Sequence, residues 1–407
     1  VNELPQWMKH LGERASAPDF ERWRQMVTNV GGCTHPIRLA GESTTVDPAT
    51  GEVLGTYNTR DEPTGYILTA CGNRRASRCE PCSRVYADDI FHLIHSGLVS
   101  ECPRVFTTFT APSFGPVHTR VLVGDRVRPC HPRDTGPSCR LRHSSDDPRL
   151  GQAIDSDSYD YTGAVLWNHH AGKLWHTFTV YLRRHLAELV GVPRSRLGDV
   201  LRVEYAKVAE YQARGLVHFH AVIRLDGPFG VDVLTEAITS ATLATRVSLP
   251  DRSLRWGAQL DIRPIETGGH WTDQRVARYI AKYATKGAEA AGTVNRPLRN
   301  IRHLERIRGL TPHARRMIEH CWQLGLRDWA HMLGYGGHFS TKSRRYSATL
   351  GAMRAARARH RLDEARAHEG LPPLPPGPLA RVGSWQVIGT GYRTLAEETW
   401  AETIRSA

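Results

Sequence analysis

Long apolar runs are the first thing this 407-residue sequence lacks. None approaches the ~20 consecutive apolar residues of a membrane-spanning helix, and no signal-peptide pattern opens the chain. The expectation is a cytoplasmic protein with no membrane partner. A Walker-type G-x-x-x-x-G-K-[ST] is missing, which leaves the chain without a P-loop motor of its own, and no repeat period is visible. Acidic residues are in deficit: 41 Asp and Glu stand against 54 Lys and Arg, giving a formal charge of +13 and a pI near 9.6. Eight cysteines in a chain with no export signal do not read as a disulfide framework, which turns attention to metal binding.

What is present points to a polyanion. Arginines cluster at Arg74-Arg75, Arg183-Arg184, Arg315-Arg316 and Arg344-Arg345, and again in RAARARHRLDEAR at 354–366. The length allows two or three domains with cores of their own. Residues 1–100 hold the densest cysteines and read as an N-terminal zinc-binding region. Residues 101–290 alternate strand-like and helix-like segments, with a loop-rich insertion at 111–163 after the strand RVFTTFT and a helix at about 172–190. Residues 291–407 read as a helical, basic DNA-binding or capping region. GLPPLPPGP at 370–378 reads as a stiff linker.

The stretch GLVHFHAVIRL at 215–225 carries the chemistry. Period-two alternation puts Val217, Phe219, Ala221, Ile223 and Leu225 on one strand face and His218, His220, Val222 and Arg224 on the other. If Ala213-Arg214-Gly215 is a three-residue turn, Glu210 lies opposite His218; a two-residue turn would put Tyr211 there instead. Gln212 shares the face of Glu210. Two imidazoles with a carboxylate or amide oxygen suit Mg²⁺ or Mn²⁺ holding phosphate oxygens. RYIAKYATKG at 278–287 offers the partner set. Tyr279 and Tyr283 are one helical turn apart, with Lys282 and Lys286 three residues after each. The same tyrosines also fit an apolar stripe with Val276, Ile280 and Ala284. A phenol is a poor nucleophile at neutral pH unless a cation stabilises it, so histidines, lysine and tyrosine together read as a phosphoryl-transfer set.

Cys71, Cys79 and Cys82 have C-x7-C-x2-C spacing, and Cys33 is the obvious fourth thiolate for a tetrahedral Zn²⁺, with His35 as competitor. A second grouping holds Cys130, His131, Cys139 and His143. TPHARRMIEHCWQLG at 311–325 and the following LRDWAHMLG have helix-turn-helix proportions. Ser340, Thr341, Lys342, Arg344 and Arg345 are candidate DNA phosphate contacts.

These motifs resemble the HUH endonucleases: FTTFTAPSFG (106–115), HFH (218–220) and YIAKYATK (279–286) match the three signatures in order. Longer stretches are similar to the RepSA-type rolling-circle replication initiators of actinomycete plasmids and integrative elements. They are KVAEYQARGLVHFHAVIRLDGP (207–228), YDYTGAVLWNHHAGKLW (159–175), HFSTKSRRYSATLGAMRAARA (338–358) and ACGNRRASRCEPCSRVYADD (70–89). The resemblance implies an α+β fold with a ferredoxin-like antiparallel sheet at the nuclease core, in a bacterial cytoplasm. It implies a metal-dependent, strand-specific nick of origin DNA through a 5′-phosphotyrosine, with rejoining later. A host helicase and the replication machinery would be partners. Tyr283 is ranked above Tyr279, because in one-tyrosine relatives the later position acts. The related initiators complete the second cysteine cluster with a CxxC just before YDY; here Asp155 and Ser158 stand there, so either Asp155 substitutes as fourth ligand beside Cys130, Cys139 and His143, or His143 and His131 rearrange, or the site is gone. The alternatives are an HUH transposase or relaxase, or a zinc-containing DNA-binding protein that does not cleave.

Overall fold

The computed structural model describes residues 5–98, 101–266, 272–287, 291–294, 296–368, 370–374, 377 and 379–406. It divides into two compact units, one made of the residues up to Asp89 together with those from Thr349 onward, the other of Ile90–Ala348. The architecture is mixed α/β with antiparallel sheets. No helix among the described residues is long and apolar enough to cross a membrane.

In the first unit, helices α1 (Gln6–Ala15) and α2 (Phe20–Thr28) precede strands β1 (Ile37–Val46), β2 (Val53–Asn58) and β3 (Ile67–Thr69), and helix α3 (Glu80–Ser96) begins there. In the second, β4 (Arg104–Phe109) is followed by the small hairpin β5 (Val121–Val123) and β6 (Arg126–Arg128). Helix α4 (Tyr161–Leu189), the short α5 (Leu197–Val200), β7 (Arg202–Tyr211), β8 (Val217–Asp226) and α6 (Val231–Ala244) come next. After them lie β9 (Val247–Ser248), β10 (Ser253–Leu254), β11 (Leu260–Pro264), α7 (Asp273–Ala284), α8 (Pro312–Gln323) and β12 (Ser340–Lys342). The chain then returns to the first unit with α9 (Leu350–His368), β13 (Ala380–Thr390) and α10 (Leu395–Ser406).

Four expectations are corrected. The region 291–407 is not uniformly helical: β13 pairs antiparallel with β1 from Ile37↔Thr390 to Val46↔Ala380, so the chain's two ends build one sheet. Proline-rich 370–378, described only at 370–374 and 377, connects α9 to β13 within that unit rather than linking domains. The proposed helix-turn-helix has one α-helix. Thr311 caps α8 by accepting from Ala314 N at 3.2 Å, but the second member, Arg327–Met332, is a 3₁₀ turn. The expected helix at 172–190 starts earlier, at Tyr161, because Asp160 accepts from Gly163 N at 2.7 Å and caps it.

The second unit is organised by a five-stranded sheet in the order β11-β4-β8-β7-β12. Odd-numbered residues of β4, β7 and β8, such as Val105, Phe109, Val203, Ala209, Phe219, Ile223 and Leu225, are buried in one core with α4 and α6. The even-numbered face is left for α7. Asn168, fully buried on α4, donates to the carbonyls of Gly215 (2.8 Å) and Leu333 (2.9 Å) and accepts from Val217 N (3.0 Å). One amide side chain thus ties the long helix to the β7–β8 turn.

Lys207 lies on the α4 face of β7, buried, with its Nζ 3.8 Å from the Phe219 ring centroid and 5.7 Å from that of Trp175. Burial pushes its pKa down to about 7. A cation–π contact contributes about 0.5–2 kcal/mol, less than the several kcal/mol that desolvating an ion costs. Between pH 7 and the ordinary lysine value near 10, the unfolded chain holds a proton that the folded chain lacks. Stability therefore rises with pH through that window, and the full penalty is present below it. Lys207→Met should raise the melting temperature of this unit at pH 6, by about 2–4 °C per kcal/mol recovered, and should flatten its rise between pH 7 and 10. Thermal unfolding at pH 6 and pH 9 checks this. A lower melting temperature at pH 6 would mean the ammonium stabilises the core.

Candidate active site and metal centres

The β7–β8 hairpin has the three-residue turn: Gln212 and Leu216 close it, Gly215 takes a φ of +75°, and Glu210 pairs with His218. Glu210 Oε2 lies 2.9 Å from His218 Nε2 and 3.1 Å from His220 Nε2, while Lys286 Nζ donates to Oε1 at 2.8 Å. Burial alone would raise the Glu210 pKa, but the hydrogen bonds from His218, His220 and Lys286 outweigh it and hold the carboxyl well below the usual range. Burial keeps the His220 pKa low. Thr108 Oγ1, from the neighbouring β4, meets His220 Nδ1 at 3.1 Å and fixes the ring in either tautomer; Phe106 stacks on it with centroids 5.6 Å apart.

The donor set suits a divalent cation. Cis ligands around an octahedral ion with bonds near 2.1 Å stand ~3 Å apart, close to the 2.9 and 3.1 Å between Glu210 and the two imidazoles. Their ligand atoms all fall within 4.8 Å of one another. Gln212, the other candidate ligand, has its side-chain oxygen engaged by Arg214: Oε1 accepts from Arg214 Nε at 2.9 Å, and Arg214 also donates to the carbonyls of Ala111 and Pro112.

Helix α7 covers this face of the sheet. Thr272 caps it, accepting from Arg275 N, and Arg104 at the start of β4 grips Asp273 with two hydrogen bonds of 3.0 and 3.1 Å. Its buried stripe is Val276, Ala277, Ile280, Ala281 and Ala284; Tyr279 and Tyr283 are only half-buried beside it. The two phenol rings lie 4.6 Å apart and sit 5.4 and 5.2 Å from the His220 ring. Burial and hydrogen bonding to Tyr283 push the Tyr279 phenol up. Lys286 Nζ lies 4.2 Å from the Tyr283 ring centroid, whereas Lys282 is exposed. The structure thus brings Glu210, His218, His220, Tyr279, Tyr283 and Lys286 together. Sequence reasoning missed Thr108, Arg104 and Asp273; the strand register that sets Thr108 opposite His220 is a non-local fact.

Cys33, Cys71, Cys79 and Cys82 converge in the core of the first unit. The sulfurs of Cys71 and Cys82 are 3.7 Å apart and those of Cys33 and Cys79 3.8 Å, against ~3.8 Å for thiolates placed tetrahedrally at the 2.3 Å zinc–sulfur distance. Backbone N–H groups of Cys71 and Thr34 donate to Cys33 and Cys79 sulfurs. Hydrogen bonding with Cys82 holds Cys33 down at about 5, while burial pushes Cys71 up to about 11. This cluster can hold a metal such as zinc.

The second cluster is His118, Cys130, Cys139 and His143, and Asp155 is not part of it. Asp155 accepts from Asp157 N at 3.1 Å and is committed to its own turn. His118 takes the fourth position, with Nδ1 3.2 Å from His143 Nε2, which is in turn 3.5 Å from Cys139 Sγ. The far nitrogen of His143 meets Asp147 at 2.7 Å, the carboxylate–histidine arrangement that orients a metal ligand. His118 stands alone between apolar and basic neighbours in the sequence, which gives no signal of its role.

Of the C-terminal candidates, Ser340, Thr341 and Lys342 form the edge strand β12 against β7. Lys342 Nζ donates to the carbonyls of Ser343, Arg344 and Ser347, so it shapes the turn, while Arg344 and Arg345 are exposed.

Comparison with known proteins identifies the family of the chain. The family model described as replication initiator protein, pSAM2 (RepSA) matches residues 19–406. A replication initiator protein of Streptomyces ambofaciens is 45% identical over 429 aligned positions, covering 96% of this chain and 91% of the relative. No solved structure matches. The chain belongs to the RepSA family of replication initiator proteins.

Proposed function

We propose that the chain starts rolling-circle replication of a plasmid or integrative element by nicking one strand of origin DNA. The observation that carries this reading is the convergence of Glu210, His218 and His220 on the same sheet face as the rings of Tyr279 and Tyr283, which meet edge to face. In this reaction the phenol oxygen of Tyr283 attacks the scissile phosphorus and the bond to the 3′-oxygen breaks. Tyrosine becomes joined to the 5′-phosphate, and the released 3′-hydroxyl, carrying a proton in place of the phosphate, primes synthesis. One phosphoester replaces another, so the reversal that rejoins the strand needs no ATP. Mg²⁺ or Mn²⁺ held by Glu210, His218 and His220 would supply charge neutralisation at the phosphate. Lys286 Nζ lies 4.2 Å from the Tyr283 ring centroid, close enough to meet charge developing on the attacked phosphate, and this supports Tyr283 as first nucleophile with Tyr279 as second acceptor. Thr108 and Phe106 hold His220 in place. In the fold, the antiparallel sheet with α7 on one face and α4 and α6 on the other supports a ferredoxin-like nuclease core. The missing P-loop supports a host helicase as partner.

We assign Zn²⁺ to Cys33, Cys71, Cys79 and Cys82, and a second Zn²⁺ to His118, Cys130, Cys139 and His143. Elemental analysis of freshly purified protein should give two zinc ions per chain. His118→Ala should retain one, and Asp155→Ala should keep both; equal zinc in the His118 variant and the parent would remove His118 from the set.

Incubation with single-stranded oligonucleotides covering the origin and Mn²⁺ should give a denaturation-resistant adduct. Peptide mass spectrometry should place it on Tyr283, with Tyr279 used when Tyr283→Phe is tested. His218→Ala/His220→Ala should lower adduct formation by a factor of about 100 or more while leaving most DNA affinity. Adduct formed normally by the Tyr279→Phe/Tyr283→Phe double variant would move the nucleophile elsewhere. No adduct under any condition would favour the non-cleaving DNA-binding protein.

A further inference from the structure

The far end of β7 carries a second charged feature. A cavity of about 410 Å³ is lined by Arg183, Arg184, Arg194, Arg202, Arg344 and Arg345. These arginines come from the last turns of α4, the 3₁₀ turn at Arg194–Arg196, the first residue of β7 and the turn after β12, stretches up to 160 positions apart in the sequence. All six are exposed. None is in an ion pair with a carboxylate among the described residues. Arg183 donates to the Thr179 carbonyl, and Arg184 lies 5.1 Å from the Tyr181 ring centroid. The carboxylate lining the cavity, Glu204, is buried and interacts with Lys342. Six like charges gathered on one concavity repel each other, and an anionic occupant relieves that repulsion.

We infer that this cavity is a phosphate-binding anchor for the backbone of duplex DNA, separate from the nicking cluster. The inference rests on DNA being the partner of this chain. Glu210 lies eight residue steps along β7 from Arg202, which at ~3.3 Å per step is roughly 26 Å. That span corresponds to about eight base-pair steps of 3.4 Å. A duplex flanking the nick site therefore reaches the arginines while its cleaved strand lies at Glu210, His218 and His220. Guanidinium groups suit this role because their forked donors match phosphate oxygens without reading sequence. Lys342, by holding the carbonyls of 343–347, presents Arg344 and Arg345 to the same cavity.

The test compares the parent with Arg194→Glu/Arg202→Glu and with a control of equal charge change outside the cavity, Arg126→Glu/Arg133→Glu. Affinity for a mixed-sequence 30-base-pair duplex is read by fluorescence anisotropy across salt concentrations, with thermal unfolding to confirm the fold. The cavity variant should lose tenfold or more in affinity at 100 mM salt, and its salt slope should fall by about 2, at 0.9 per lost phosphate contact. The control should lose much less. Equal losses in both variants would overturn the inference, since charge alone would then explain binding. Tight binding of ATP or tripolyphosphate that the cavity variant loses, with duplex affinity unchanged, would overturn it in favour of a free polyphosphate. Adduct formation by the parent on single strands reads the nicking cluster independently: if none forms but the cavity variant still loses duplex affinity, the anchor stands and the nuclease reading falls.

Discussion

The register of one hairpin carries the candidate active site. Side chains alternate faces along a strand, so a slip of one residue between β7 and β8 would move Glu210 away from His218 and send His220 to the wrong layer. That register is held from three directions. Gly215 adopts a left-handed φ of +75°, and a Cβ there would stand 2.7 Å from Met317 Sδ and 2.9 Å from Leu333 Cδ1. The turn thus needs glycine for its backbone and for the helix packed on it. Asn168 holds the last residue of the same turn and the first of β8 from within the core. The odd-numbered face, buried from Val203 to Leu225, removes the remaining freedom.

Given that register, the charges follow. A carboxylate placed among two imidazoles and an ammonium stays ionised even though it is largely buried, so the cluster keeps its one anion at neutral pH. The tyrosines are hung over it by contacts made far from them: Arg104 gripping Asp273 and Thr272 capping α7 fix where the helix starts, and twelve residues of helix fix the rest. Because the apolar stripe of α7 is narrow and rich in alanine, the helix approaches β7 closely enough for phenol rings to meet His220. Bulkier residues at Ala277 or Ala281 would lift it away.

Much of this was legible in the sequence because it is local. The H-F-H alternation, the tyrosine–lysine spacing, the turn arithmetic that opposes Glu210 to His218 and the C-x2-C pair each sit within a few residues of one another. What was not legible depends on distant segments meeting. Asp155, the ligand expected from the resemblance, caps its own turn, and His118 arrives from a different loop. Strand β13 pairs with β1, more than 300 residues earlier in sequence, so nothing local marks the two as mates. Lys342 reads as a phosphate contact by composition, but three carbonyls of the following turn claim its donors.

The clusters of cysteine and histidine also explain how so loop-rich a chain stays ordered. Between 112 and 158 the buried positions are Cys130, Cys139, His143 and Gly151. That stretch contributes no buried leucine, isoleucine or phenylalanine of its own, so donor groups occupy the places where an apolar core would be. Cys139, His143 and His118 lie within reach of one another, with Thr119 N donating to Cys130 Sγ and Asp147 meeting His143, and burial holds His118 below its ordinary pKa. A metal held there would add ligand bonds where little apolar area is removed from water, and its binding would then be coupled to local folding. The first unit follows the same logic with more help: Cys33, Cys79 and Cys82 pack with Trp23, Tyr66 and Leu68, and Tyr392, two residues past β13, donates to the Cys33 carbonyl at 2.7 Å. There the thiol cluster joins an apolar core instead of replacing one, and the last fifth of the chain closes over the first.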